Sequence, residues 1–140
     1  MLDVHKIKED FPIFENYKKK WGRYLSYLDS AASSQTPRQV VLAMDDYYFN
    51  YRSNVHRSPY KLGIEATEAY ESARATVAKF IGAKKGEIIF TSGATMGANM
   101  LVAMLEDYLK IKQGAEILAS VAEHHSNLVP FQELALRTNA

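Results

Sequence analysis

The stretch EIIFTSGATMGAN, residues 87–99, decides how the rest of the chain is read. Residues 87–91 form a short apolar run with the length and side-chain content of a buried strand. Gly93 then lets the backbone turn sharply and approach a ligand closely. A helix is predicted to start at once. Its first turn presents unpaired backbone N–H groups and the positive end of the helix dipole, and Thr95 adds a hydroxyl donor. These are the parts of a phosphate cradle. No GK[ST] follows and no GxGxxG is present, so the stretch is neither a P-loop nor a dinucleotide-binding turn. Taken alone, it reads equally well as an ordinary helix start after a strand.

On the C-terminal side, Leu101, Met104, Leu105 and Tyr108 predict the buried face of that helix. Gly114 ends it, and residues 115–121 predict a second buried strand. EHHSN (123–127) follows as a loop, and a last helix is predicted from about Leu128 or Pro130. On the N-terminal side, Ile64 to Ile81 predicts a helix with Tyr70, Ala73, Val77, Phe80 and Ile81 on its apolar face and Gly82 as its stop. Glu71 and Arg74 are spaced to pair on the exposed side. A helix after Pro37 carries Val40, Met44, Tyr47, Tyr48 and Tyr51 on one packed face. Residues 2–14 predict a short amphipathic helix ending near Pro12. Lys18, Lys19 and Lys20 are expected in a solvated loop, with Trp21 as a packing anchor. Helices alternating with short apolar strands predict an α/β fold with a largely parallel sheet. Two strands are too few to complete that architecture.

The composition narrows the chemistry. A net charge of +1 over 140 residues argues against a broad surface for nucleic acid or anionic membrane. The apolar runs are too short to span a bilayer, and the N-terminus does not resemble a signal peptide. With no cysteine, disulfides, thiolate metal sites and a cysteine nucleophile are excluded within these residues, which is compatible with a cytoplasmic location. His124 and His125 are adjacent and make a poor chelate, so no metal site is expected. An imidazole beyond the carboxyl end of a strand instead suits stacking on a flat ring or moving a proton. His56 and Arg57, in VHRSPYKLG (55–63), are able to bind a carboxylate or phosphate. Their spacing alone equally suits a surface loop held by local hydrogen bonds.

In this order, YLDSAASSQTP (27–37), NVHRSPYKLG (54–63), EIIFTSGATMGAN (87–99) and EHHSNLVPFQ (123–132) resemble the group II, SUF-type cysteine desulfurases and selenocysteine lyases. These belong to the class V aminotransferase branch of fold-type I pyridoxal-phosphate (PLP) enzymes. The resemblance implies that residues 1–23 form an N-terminal arm and that 24–140 form the first part of the PLP-binding large domain. It implies that Thr95, with the backbone of Gly93 and Ala94, holds the PLP phosphate. His124 would stack on the pyridine ring and act catalytically in proton transfer. Ala31 and Ala32 would line the substrate pocket, and His56 and Arg57 would lie near it, close to the partner subunit of a homodimer. His125 is expected to be supporting structure.

The activity so implied converts L-cysteine, or L-selenocysteine, to L-alanine. Sulfur passes to a cysteine persulfide and on to an acceptor protein for iron–sulfur cluster assembly. No lysine here sits in the family's cofactor-lysine motif, so the 140 residues by themselves are expected to be inactive. The alternatives are another class V enzyme, such as an aminotransferase or a kynureninase relative, and a non-catalytic module. Three positions depart from the family pattern: Ala94 replaces a common threonine, Met96 a common glutamate, and Phe131 the usual tryptophan. In fold-type I enzymes the first two large-domain strands lie far apart in the sheet. The isolated chain is therefore expected to fold poorly or aggregate, with apolar strand edges uncovered.

Overall fold

A computed structural model describes residues 2–140, which divide into two compact units, one ending at Lys85 and the other starting at Gly86. In the first unit, the Asp3 carboxylate accepts hydrogen bonds from the N–H groups of His5 and Lys6, both at 3.1 Å, and so caps α1 (Val4–Glu9). Such a cap contributes about 1 kcal/mol. Pro12 does not end this helical region, as the sequence predicts, but opens α2 (Pro12–Trp21). A proline's missing N–H costs nothing in a first turn. The three lysines, expected in a loop, occupy the last turn of α2, where cations complement the helix dipole. Trp21, expected to anchor packing, is 58% exposed, and its ring contacts among the described residues stay within its own helix, to the Tyr17 ring at 6.3 Å and the Lys20 ammonium at 5.2 Å.

α3 (Arg38–Asp46) runs into a π-helical turn, Tyr47–Tyr51, where Tyr47 meets Tyr48 and Tyr51 edge-on at 5.5 and 5.4 Å. The expected packed face is half made. Tyr47 and Tyr51 are partly buried, but Val40, Met44 and Tyr48 are exposed. α4 (Lys61–Ile81) ends on left-handed Gly82, as its sequence predicts. Its buried positions are Gly63, Ala66 and Ala78, whereas Val77, Phe80 and Ile81 of the predicted apolar face are exposed. The reason at Gly63 is direct. A Cβ there would fall 2.3 Å from the Ser58 Cβ and 2.4 Å from its carbonyl oxygen, so only glycine admits the loop.

The second unit is built on α5 (Ala94–Leu109) and α6 (His125–Thr138), which pack against each other and bury Val102, Pro130 and Leu134. Leu101, Met104 and Tyr108, predicted to be buried, are exposed instead, because α6 covers the Val102 side. The two helices run parallel. Thr95 and Asn99 share a cleft with His125 and Ser126 at one end. At the other, the N–H of Gly114 donates to the Asn139 carbonyl at 3.0 Å. Between them, Arg137 on α6 forms an ion pair with Glu106 on α5. A 16-residue helix is about 24 Å long, and seven extended residues span about the same. Residues 115–121 therefore suffice to carry the chain back to the start of α6, the return of an α/β crossover.

The predicted sheet is not formed: among the described residues there is no strand. An extended segment becomes a strand only when a neighbour shares a hydrogen-bond ladder with it, and among the described residues neither 87–91 nor 115–121 belongs to such a ladder. Ile88 is buried, but Leu118 and Val121 are fully exposed at 100% and 102%. Among the described residues, no helix is long and apolar enough to cross a membrane.

Candidate functional site

The start of α5 has the features of an oxyanion receptor. Gly93 stands before it at φ 154° and ψ 177°, a region open essentially only to glycine. Nothing lies within 4 Å of where a Cβ would be, so the approach is clear. The first helical hydrogen bond runs from the Gly97 N–H to the Gly93 carbonyl at 3.0 Å, and no side chain caps the helix. The N–H groups of Ala94, Thr95 and Met96 therefore lack helical partners. The neighbouring side chains are turned to local tasks. Thr91 Oγ1 donates to the Gly93 carbonyl at 3.1 Å, Ser92 Oγ lies 3.2 Å from Met96 Sδ, and Asn99 Nδ2 donates to the Thr95 carbonyl at 2.8 Å. Thr95 itself is exposed at the mouth of the cleft. Three free amides, a hydroxyl and a helix dipole together suit a phosphate-sized anion.

His124 is the N-cap of α6. Its Nδ1 accepts from the Ser126 N–H at 3.1 Å and lies 2.9 Å from Ser126 Oγ. α6 therefore starts at His125, earlier than the sequence predicts, and the expected EHHSN loop is in large part a helix start. Pro130 lies within the helix rather than opening it. Asn127 Nδ2 donates to Glu123 Oε2 at 2.9 Å across this helix start. A cleft of about 580 Å³ between α5 and α6 is lined by Thr95, Asn99, His125 and Ser126 at its N-terminal end. His125, given only a supporting part by the sequence, is on this wall. His124 adjoins it through Ser126. At the far end, the hydrogen-bonded Arg137 guanidinium holds the Glu106 carboxyl below the usual carboxylate range. The cleft lining by Asn99, His125 and Arg137 was not foreseen. Only the parallel run of α5 and α6 brings these residues together.

In the first unit, Ala31 and Ala32 form an exposed turn, closed by the Ala32 and Ser33 N–H groups donating to the Asp29 carbonyl at 3.2 and 3.1 Å. The Tyr27 hydroxyl donates to the Ser33 carbonyl across this turn. His56 and Arg57 occupy a separate turn, in which His56 Nε2 bonds to Glu71 Oε1 at 2.8 Å. Glu71 does more than pair with Arg74 as expected. Hydrogen bonds from Lys85 and then His56 lower the pKa of its carboxyl. No hydrogen bond or ion pair joins the alanine turn to the histidine–arginine turn among the described residues.

Residues 26–140 match the family described as Aminotransferase class-V. The chain is 48% identical over 140 residues to a probable cysteine desulfurase of Staphylococcus aureus and 50% identical to one of Staphylococcus epidermidis. It covers 33% of the length of each, so it spans about a third of these relatives. Among solved structures it resembles the apo cysteine desulfurase of Thermococcus onnurineus, with a TM-score of 0.86 and 38% identity over 99% of this chain and 32% of that one. It also resembles the cysteine desulfurase CsdA of Escherichia coli, with a TM-score of 0.78 and 34% identity over 100% of this chain and 33% of that one. A family match over most of its length and a backbone that follows two solved desulfurases lead to one assignment: the chain belongs to the class-V aminotransferase family.

Proposed function

We propose that this chain provides the cofactor-phosphate cradle and part of the substrate pocket of a PLP-dependent cysteine desulfurase that feeds sulfur to iron–sulfur cluster assembly. The observation that carries the reading is the start of α5, where uncapped amides, Thr95 and an open Gly93 meet the chemistry of a phosphate. The identity of about one half to probable cysteine desulfurases supports the choice within the family. Bound PLP would supply an electron sink for the bonds around the amino-acid Cα.

This chain's own part is binding and orientation. Ala94, Thr95 and Met96 offer N–H groups, and Thr95 a hydroxyl, to the phosphate. His124, its ring fixed by the cap bond to Ser126, would stack on the pyridine and would move a proton through Nε2, the nitrogen the cap leaves open. Ala31 and Ala32 leave room for a small substrate. Arg57 and His56 lie beside it, near the second subunit of a homodimer. The substrate is L-cysteine or L-selenocysteine, and a separate protein accepts the sulfur.

The test uses the product of the complete reading frame, purified with PLP. Incubation with L-cysteine is expected to release alanine in step with protein-bound persulfide. Thr95→Val removes a hydrogen bond to a charged group and should weaken PLP retention about tenfold. A protein that binds PLP and produces no alanine from L-cysteine would sink the desulfurase reading.

A further inference from the structure

We infer that Glu71 is a positioning residue, which holds the loop of residues 52–60 against α4 through His56 and thereby fixes how Arg57 is presented. The inference rests on the placement of Arg57 beside the substrate. Gly63, Thr67 and Glu71 are spaced four apart, so they form one stripe along α4. Each grips the loop differently. Gly63 admits Ser58 to a separation that no Cβ would allow. Thr67 Oγ1 donates to the Gly63 carbonyl at 2.7 Å and accepts from the His56 N–H at 2.9 Å, which uses its single proton and one lone pair. Glu71 Oε1 meets His56 Nε2 at 2.8 Å, and its Oε2 meets Lys85 Nζ at 2.9 Å. The His56 ring also sets its edge on Tyr70 at 5.5 Å and 88°.

Both the backbone and the side chain of one residue are thus held, and that residue needs holding. His56 has φ +65°, a left-handed conformation that non-glycine residues keep only when their surroundings impose it. Arg57 follows directly, so the backbone angles of His56 set the direction in which its side chain leaves. Arg57 is exposed and in none of the ion pairs found among the described residues. Its guanidinium remains available for a carboxylate.

The experiment compares the PLP-loaded product of the complete reading frame with its Glu71→Gln and Thr67→Val variants. Amide hydrogen exchange across residues 54–58 is expected to quicken about tenfold in both variants, with the visible spectrum of the cofactor unchanged. The KM for L-cysteine should rise about tenfold in Glu71→Gln while kcat changes less than about twofold, the pattern of lost ground-state positioning. Thr67→Ser keeps the hydroxyl and should restore slow exchange. Unchanged exchange in Glu71→Gln overturns the tether whatever Thr67→Val does, and faster exchange with an unchanged KM overturns its link to Arg57. Should the unaltered protein release no alanine from L-cysteine, the desulfurase reading falls, and the exchange data still decide whether Glu71 holds the loop.

Discussion

The loop of residues 52–60 and the segment 115–121 both lack regular sheet or α-helical structure along most of their length, yet their condition is opposite. The loop is irregular but finished. Its backbone and side chains meet Gly63, Thr67 and Glu71, all within fifteen residues of His56. The segment is simple in sequence but unfinished, with Leu118 and Val121 wholly in solvent. The difference is one of range. Polar contacts between near neighbours close at little loop entropy, whereas a parallel strand waits for chain that is distant in sequence.

The largest expected effect would break this contrast outright. At rising concentration, the 140-residue chain alone should scatter light increasingly and give no sharp reversible melt. Replacing Leu118 and Val121 together by lysine should suppress the scattering, since charged edges resist pairing. In the product of the complete reading frame the same pair should destabilise instead, by about 1.5–3 kcal/mol for each apolar side chain that a sheet would otherwise bury. A cooperative, reversible melt of the 140-residue chain would show that the segment is not unfinished after all.

A smaller effect sharpens the other side of the comparison. Gly63→Ala inserts a methyl group where Ser58 already sits, and should cost about 1–3 kcal/mol in thermal or denaturant melts. Gly86→Ala meets nothing within 4 Å and serves as the control.

The smallest effect is a pH dependence. The folded-state pKa of Glu71 is lowered, chiefly by Lys85 and then His56. Its stabilising contribution is therefore complete above the ordinary glutamate range, near about 4.3, and is lost as pH falls through the lower folded value. Between about pH 5 and 3, the melting temperature should fall more steeply with Glu71 present than in Glu71→Gln. Equal slopes would mean that Arg74, Lys85 and His56 do not act on this carboxylate.

What was legible in the sequence follows the same division. Gly82 and Gly93 were placed correctly because each requires a conformation that its local sequence announces. The helix faces were misread where burial depends on distant chain. Phe80, Met104 and Tyr108 have the right period for a core, but each is largely exposed. Pro12 was misread because a proline marks a helix start as readily as an end, and only the capping geometry decides between them. The link from His56 to Glu71 crosses a turn and was invisible to periodicity. His125 reached the cleft wall through the parallel packing of two helices, which no local pattern encodes.

The cap at His124 has one more consequence. An amide N–H is only a donor, so the nitrogen that receives it from Ser126, Nδ1, carries no hydrogen. The neutral imidazole then has one tautomer open to it, with the hydrogen on Nε2. A ligand arriving at this ring meets a donor, and its complement there is a lone pair on oxygen or nitrogen. The first turn of a helix has in this way chosen the polarity of a side chain that the sequence alone shows only as a histidine.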